Sequence, residues 1–179
     1  MEELILFWRI ILAVLFLSSA VSKLQKMPEH FAILQDYQIL PASAVRPFGW
    51  LEVGAELLVG SLLVLGWLQP LTAWVTAGLL LMYSAAVAIN LLRGRREISC
   101  GCGGVAGNHQ LSWKLVARNV LLMLVCGFLA QYTATYGLLD PRFWITALVS
   151  ITLLLIGMGT LELRAVRRRM QALTASEFR

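Results

Sequence analysis

The sequence predicts an all-α protein, a multi-pass transmembrane bundle of five helices, on three observations. First, 59% of the residues are hydrophobic and only 14% are charged, against about 25% charged residues in an ordinary soluble domain. Second, the apolar residues are gathered into five long blocks, at 4–21, 50–68, 71–92, 113–132 and 143–163. Each is close to the ~20 residues that a helix needs to cross about 30 Å of hydrocarbon. Third, lysine and arginine collect at the ends of these blocks, mostly on one side. Only a helix or a closed barrel satisfies its backbone in lipid, and the blocks do not alternate apolar with polar as barrel strands do. A soluble helical protein is excluded because too few polar residues remain to cover its surface. The chain is expected to be one integral membrane domain over 1–179, with a loop at 93–112 and a basic tail at 164–179.

The first block opens Met1-Glu2-Glu3, acidic where a signal peptide is basic, so it is taken as a span. In the connection that follows, Phe31, Leu34, Tyr37 and Leu40 recur every three residues. That spacing predicts a short amphipathic helix in the membrane interface, ended by Pro41. Gln69-Pro70 alone separates the second and third blocks, which predicts a tight antiparallel hairpin. Gly137 and Asp140-Pro141 are turn signals before the fifth block. Small residues at Gly54, Gly60, Ala73, Gly78, Ala85, Gly157 and Gly159 offer points of close helix approach. Tryptophans 8, 50, 67, 74, 113 and 144 fall mostly near block ends, as an aromatic belt does.

With five spans, the first loop, the third loop and the C-terminus share one side of the membrane. That side carries Lys23, Lys26, Arg46, Arg93, Arg95, Arg96, Lys114, Arg118 and the arginines of the tail, and the other side carries Arg142. The positive-inside rule puts the basic side in the cytoplasm. Arg9, inside the first span, is expected to snorkel to the opposite headgroups. The net charge of +5 is explained by anionic lipid and is no nucleic-acid signal.

Ile98-Ser99-Cys100-Gly101-Cys102-Gly103-Gly104 is the chemical focus. Two thiols one residue apart close a very small disulfide ring, and a strained disulfide is exchangeable. Neighbouring glycines let a bulky partner approach, and Arg93, Arg95 and Arg96 supply positive charge that favours a thiolate. Thiol–disulfide exchange at Cys100 and Cys102 is therefore the first functional reading. A soft-metal pair with His109 as a third ligand is the second. A tight glycine turn with inert cysteines is the third. Cys126 lies deep in the fourth block and is expected to be a packing residue.

Ionisable groups inside spans face the bundle interior or a partner. Glu52 and Glu56 are four apart on one helical face. Arg118 and Asn119 open the fourth block and Asn90 closes the third, all on the side of the cysteine loop. These residues are expected to converge beneath Cys100 and Cys102, with Glu56 and Arg118 as a buried pair. Such a group either holds the bundle together, or handles protons, or seats a quinone.

Lys23, Phe31, Tyr37, Leu40-Pro41, Glu52, Glu56, Gly60, Cys100-Gly101-Cys102, Gly104, Trp113, Arg118 and Asn119 stand in an order and spacing that resembles the MauE and DoxX-like redox-associated membrane proteins, MauE more than DoxX. The resemblance runs from the first span through the fourth. It implies a four-helix DoxX-like core with a fifth, C-terminal span, set in a bacterial inner membrane. It implies a part in maturing a disulfide-rich protein such as the methylamine dehydrogenase small subunit, with a thioredoxin-like partner. A quinone is a further implied acceptor, by way of the DoxX-like relatives. The chain departs from the MauE pattern at Gly103, where an aromatic is expected. The resemblance also implies a periplasmic cysteine loop, opposite to the charge rule. A non-catalytic membrane assembly factor is the remaining alternative.

Overall fold

The structure is a computed structural model that describes residues 2–101, 110–132 and 140–156. The predicted all-α transmembrane architecture is what it shows. Helices α1 (Glu2–Gln25), α2 (Met27–Asp36), α3 (Ala42–Leu65), α4 (Gln69–Leu92) and α5 (Trp113–Gln131) follow one another, and a further apolar helix, α6, covers Pro141–Ile156. Four of them, α1, α3, α4 and α5, are long and apolar enough to cross a membrane. At 1.5 Å per residue the 24 residues of α1, α3 and α4 extend about 36 Å, more than the ~30 Å hydrocarbon core. Among the described residues many large apolar side chains lie on the outer surface of the bundle. Leu51, Leu58, Leu81, Leu121 and Leu124 are all well exposed, which only a lipid solvent tolerates in such number. Trp50, Trp67, Trp74, Trp113 and Trp144 are also exposed, while Trp8 packs against the core.

The bundle is built as two tight helix pairs. Helix α1 packs chiefly on α3, and α4 on α5. Gly60 makes the first pairing close: a Cβ there would stand 2.7 Å from Leu17 Cγ. Gly54 and Gly78 have nothing within 4 Å of that position, so they are not points of helix approach. The central core joins Leu12, Phe16, Val59, Leu63, Leu80, Cys126 and Leu129. Cys126 is thus a packing residue deep in the bundle.

Several boundaries differ from the sequence expectations, each for a local reason. Helix α3 begins at Ala42, with Pro41 as its N-cap residue. Pro41 therefore opens α3 instead of closing α2. Helix α2 ends at Asp36, and the chain turns at Gln38, whose φ is +48°. The hairpin turn lies at residues 66–68, where Gly66 caps α3 in the left-handed conformation. Pro70 falls in the first turn of α4, where its missing N–H costs nothing. Helix α6 packs outside α1, with Phe143 against Leu6 and Ile10 and the Thr146 hydroxyl donating to Glu3 Oε2 at 2.9 Å. The expected fifth span is described as far as Ile156; residues 157–163 and the basic tail at 164–179 lie outside the described residues.

Candidate functional site

The ends of α1 and α4 and the beginnings of α3 and α5 meet at one side of the bundle, where α2 lies across them. There the two helix pairs part around a cavity of about 400 Å³. Its wall is mainly aliphatic and aromatic, and Glu52, Glu56, Arg118, Asn119 and Cys100 all line it. Asn90 is fully buried but is not part of the wall; its Nδ2 donates back to the Ala86 carbonyl at 3.1 Å.

The polar end of the cavity is organised around Lys23, in the last turn of α1. Its Nζ lies 2.5 Å from Glu52 Oε1 and 2.8 Å from Glu56 Oε1, and all three side chains are at most 5% exposed. Glu56 Oε1 also accepts from Tyr83 Oη at 2.7 Å and from Ser19 Oγ at 3.2 Å. Lys23 Nζ sits over the Tyr83 ring, 5.0 Å from its centroid. Because Ser19 and Lys23 are on α1, Glu56 on α3 and Tyr83 on α4, one carboxylate oxygen ties the two helix pairs together. His30, on the buried face of α2, brings Nε2 to 3.3 Å from Glu52 Oε2. Its Nδ1 is buried without a hydrogen-bond partner.

This arrangement corrects three expectations. Glu56 pairs with Lys23 and not with Arg118, because α1 lies directly against α3 whereas α5 stands across the cavity. Arg118 makes no ion pair among the described residues, and its Nε is buried without a hydrogen bond. Nor does Lys23 face headgroups, as its place at the end of an apolar block suggested. Arg9 does not snorkel either: it is 1% exposed, with its guanidinium against Gly66 and 5.9 Å from the Phe143 ring centroid.

Cys100 stands at the loop end of the same cavity. It is buried with Tyr37, Val87, Leu91, Leu111 and Leu115. Tyr37 Oη donates to its carbonyl at 3.2 Å. The loop is pinned at its base, where Ser99 bridges Gln110 and the Leu111 N–H donates to Ile98 O at 3.1 Å. Gly101 has φ +66°, and a Cβ on it would meet Ile33 of α2 at 3.1 Å. The left-handed conformation thus favours glycine between the two cysteines, and a Cβ there would also make Ile33 yield by a few tenths of an ångström. Cys102 and His109 lie outside the described residues. Among the described residues no three His, Cys, Asp or Glu side chains form a group that would hold a metal ion.

Sequence reasoning reached Glu52, Glu56, Arg118, Asn119 and Cys100 but not the group that organises them, namely Lys23, His30, Tyr83 and Ser19. A signal was present for Lys23: it is four residues after Ser19 on the core face of α1, within reach of two carboxylates that need a counter-charge.

Fold and site together define a multi-pass membrane protein with an ion cluster buried inside the bundle and a cysteine loop over it. A family model described as methylamine utilisation protein MauE matches residues 1–132. The chain belongs to this MauE family. It is 40% identical over 114 residues to the methylamine utilization protein MauE of Paracoccus denitrificans, covering 64% of this chain and 61% of that protein. It is 39% identical over 132 residues to that of Methylorubrum extorquens, covering 69% and 67%. The Paracoccus versutus protein is 36% identical over 124 residues, covering 68% and 67%. The chain thus spans about three-fifths to two-thirds of the length of these curated relatives. No solved structure matches it.

Proposed function

We propose that this chain is a membrane-embedded maturation factor of methylamine utilisation, working by thiol–disulfide exchange at Cys100 and Cys102. The observation that carries the reading is the position of Cys100 on the wall of a cavity that also contains the Lys23–Glu52–Glu56 cluster. One cysteine attacks or is attacked, forming a mixed disulfide, and the other resolves it. The exchanging protein is a disulfide-bearing client, such as the methylamine dehydrogenase small subunit, or a thioredoxin-like partner that serves it. When the pair oxidises a client dithiol, it gains two electrons and two protons. It passes these to the disulfide of the thioredoxin-like partner or to a quinone, which becomes the quinol. Glu52, Glu56, Arg118 and Asn119 are assigned to the quinone side of this exchange, because they share the cavity with Cys100.

The test is client maturation in strains carrying Cys100→Ser or Cys102→Ser. Each substitution is expected to leave the client with unpaired or mispaired cysteines. Full maturation with both substitutions contradicts the exchange reading. It would favour a non-catalytic assembly factor, a second reading supported by the burial of Cys100 in an apolar cluster.

A further inference from the structure

The cavity has a rim on the outside of the bundle. Ile39, between α2 and α3, is 42% exposed, Ile89 of α4 is 38% exposed, and both line the cavity wall. Ala85, one turn before Ile89 on the same face of α4, is also exposed and lines the wall. These positions lie on the outer surface of the bundle, so the opening leads sideways, toward the lipid that would surround the spans.

Inside, the chemistry is sharply divided. Most of the wall is apolar, through residues such as Phe16, Leu80, Val87 and Leu122. At the polar end, hydrogen-bonding capacity is left over. Glu56 Oε2, His30 Nδ1 and Arg118 Nε are all buried without hydrogen-bond partners. Buried polar atoms that lack partners are costly, and here they border an open space. The formal charges at this end already cancel: Lys23 and Arg118 oppose Glu52 and Glu56. A charged guest would leave an uncompensated net charge in a low-dielectric interior, which is strongly unfavourable.

We propose that this cavity is a side-entry site for a neutral, bilayer-soluble amphiphile whose head carries carbonyl or hydroxyl oxygens. A hydroxyl donates to the open Glu56 oxygen, a carbonyl accepts from Arg118, and the apolar body lies along the aliphatic wall. The volume suits a ring with a short tail. A quinone–quinol couple belongs to this class. For the redox role of the guest the proposal rests on the exchange reading; for its binding it does not.

The test uses the full chain in lipid nanodiscs, titrated with decylbenzoquinone, decylphosphate and decylammonium. Decylbenzoquinone should bind saturably, and at least about tenfold more weakly to Ala85→Trp and Ile89→Trp, two lipid-facing changes that obstruct the rim. The two charged probes should show no saturable binding. Saturable binding of either charged probe as tight as that of the quinone overturns the proposal. So does the absence of saturable quinone binding, or an affinity unchanged in both rim variants. The titration reads binding alone and needs no thiol turnover, so a failure of thiol exchange is told apart from a failure of the site.

Discussion

Lys23 is the cation at the centre of the buried ion cluster. It neutralises two carboxylates that are otherwise buried together, and it does so from the helix packed directly against theirs. Replacing it with methionine leaves two acidic side chains in the bundle without their cation, which should destabilise the protein by about 3–5 kcal/mol. Unfolding in a graded denaturing detergent measures this. Adding Glu52→Gln and Glu56→Gln to Lys23→Met should recover much of the loss, and no recovery would show that the cost is not electrostatic. Gly101 allows a second prediction. In Gly101→Ala the left-handed backbone costs about 1–2 kcal/mol, and the new methyl presses on Ile33. Cys100 should then leave its buried seat more often and be alkylated faster in the folded protein, whereas an unchanged rate would mean that Ile33 and Gly101 do not restrain it. At this scale the sequence showed which residues were unusual but not who pairs with whom. The sequence pointed Glu56 to Arg118, and only the pairing of helices makes Lys23 its partner.

Among the elements, the decisive fact is the division into α1–α3 and α4–α5, joined at the loop side by α2 and by the hydrogen bonds on Glu56. The close seam at Gly60 predicts that Gly60→Leu forces α1 from α3, at a cost of about 1–3 kcal/mol by overpacking. Gly54→Leu, with open space around it, should leave the melting temperature unchanged within error. Equal melting shifts for the two variants would contradict the packing described. The spans and the amphipathic α2 were legible in the sequence because length, hydropathy and periodicity are local properties. The turn between α3 and α4 was displaced by three residues or so, because Gly66 and Pro70 both signal turns and only their helix-capping roles assign the first to an end and the second to a beginning.

For the molecule as a whole, the convergence of Glu52, Glu56, Arg118, Asn119 and Cys100 was legible from topology alone. Alternating spans bring the relevant ends to one side. The cavity itself was not, because it depends on how loosely the two helix pairs meet. For orientation, the charge rule reads the exposed basic residues. With Lys23 turned inward and Arg118 on the cavity wall, Lys26, Arg46, Arg93, Arg96 and Lys114 still face outward on the loop side, and Arg142 does so on the other. The positive-inside rule therefore predicts that a cysteine placed at the exposed Arg96 is labelled by an impermeant maleimide only from the cytoplasmic side. Labelling from the outer side alone would mean that the rule is overridden in this family and that the loop meets a periplasmic client directly.

The central claim is that Cys100 and Cys102 cycle between dithiol and disulfide, and the most direct measurement counts thiols. Membranes are quenched in acid, unfolded in detergent and labelled with a mass-tagged maleimide. The chain has three cysteines, and Cys126 is held in the core away from the cysteine loop. Two populations are expected, one with all three thiols labelled and one with Cys126 alone, their ratio shifting as the client or an oxidant is supplied. Three labels under every condition, oxidant included, would contradict the claim.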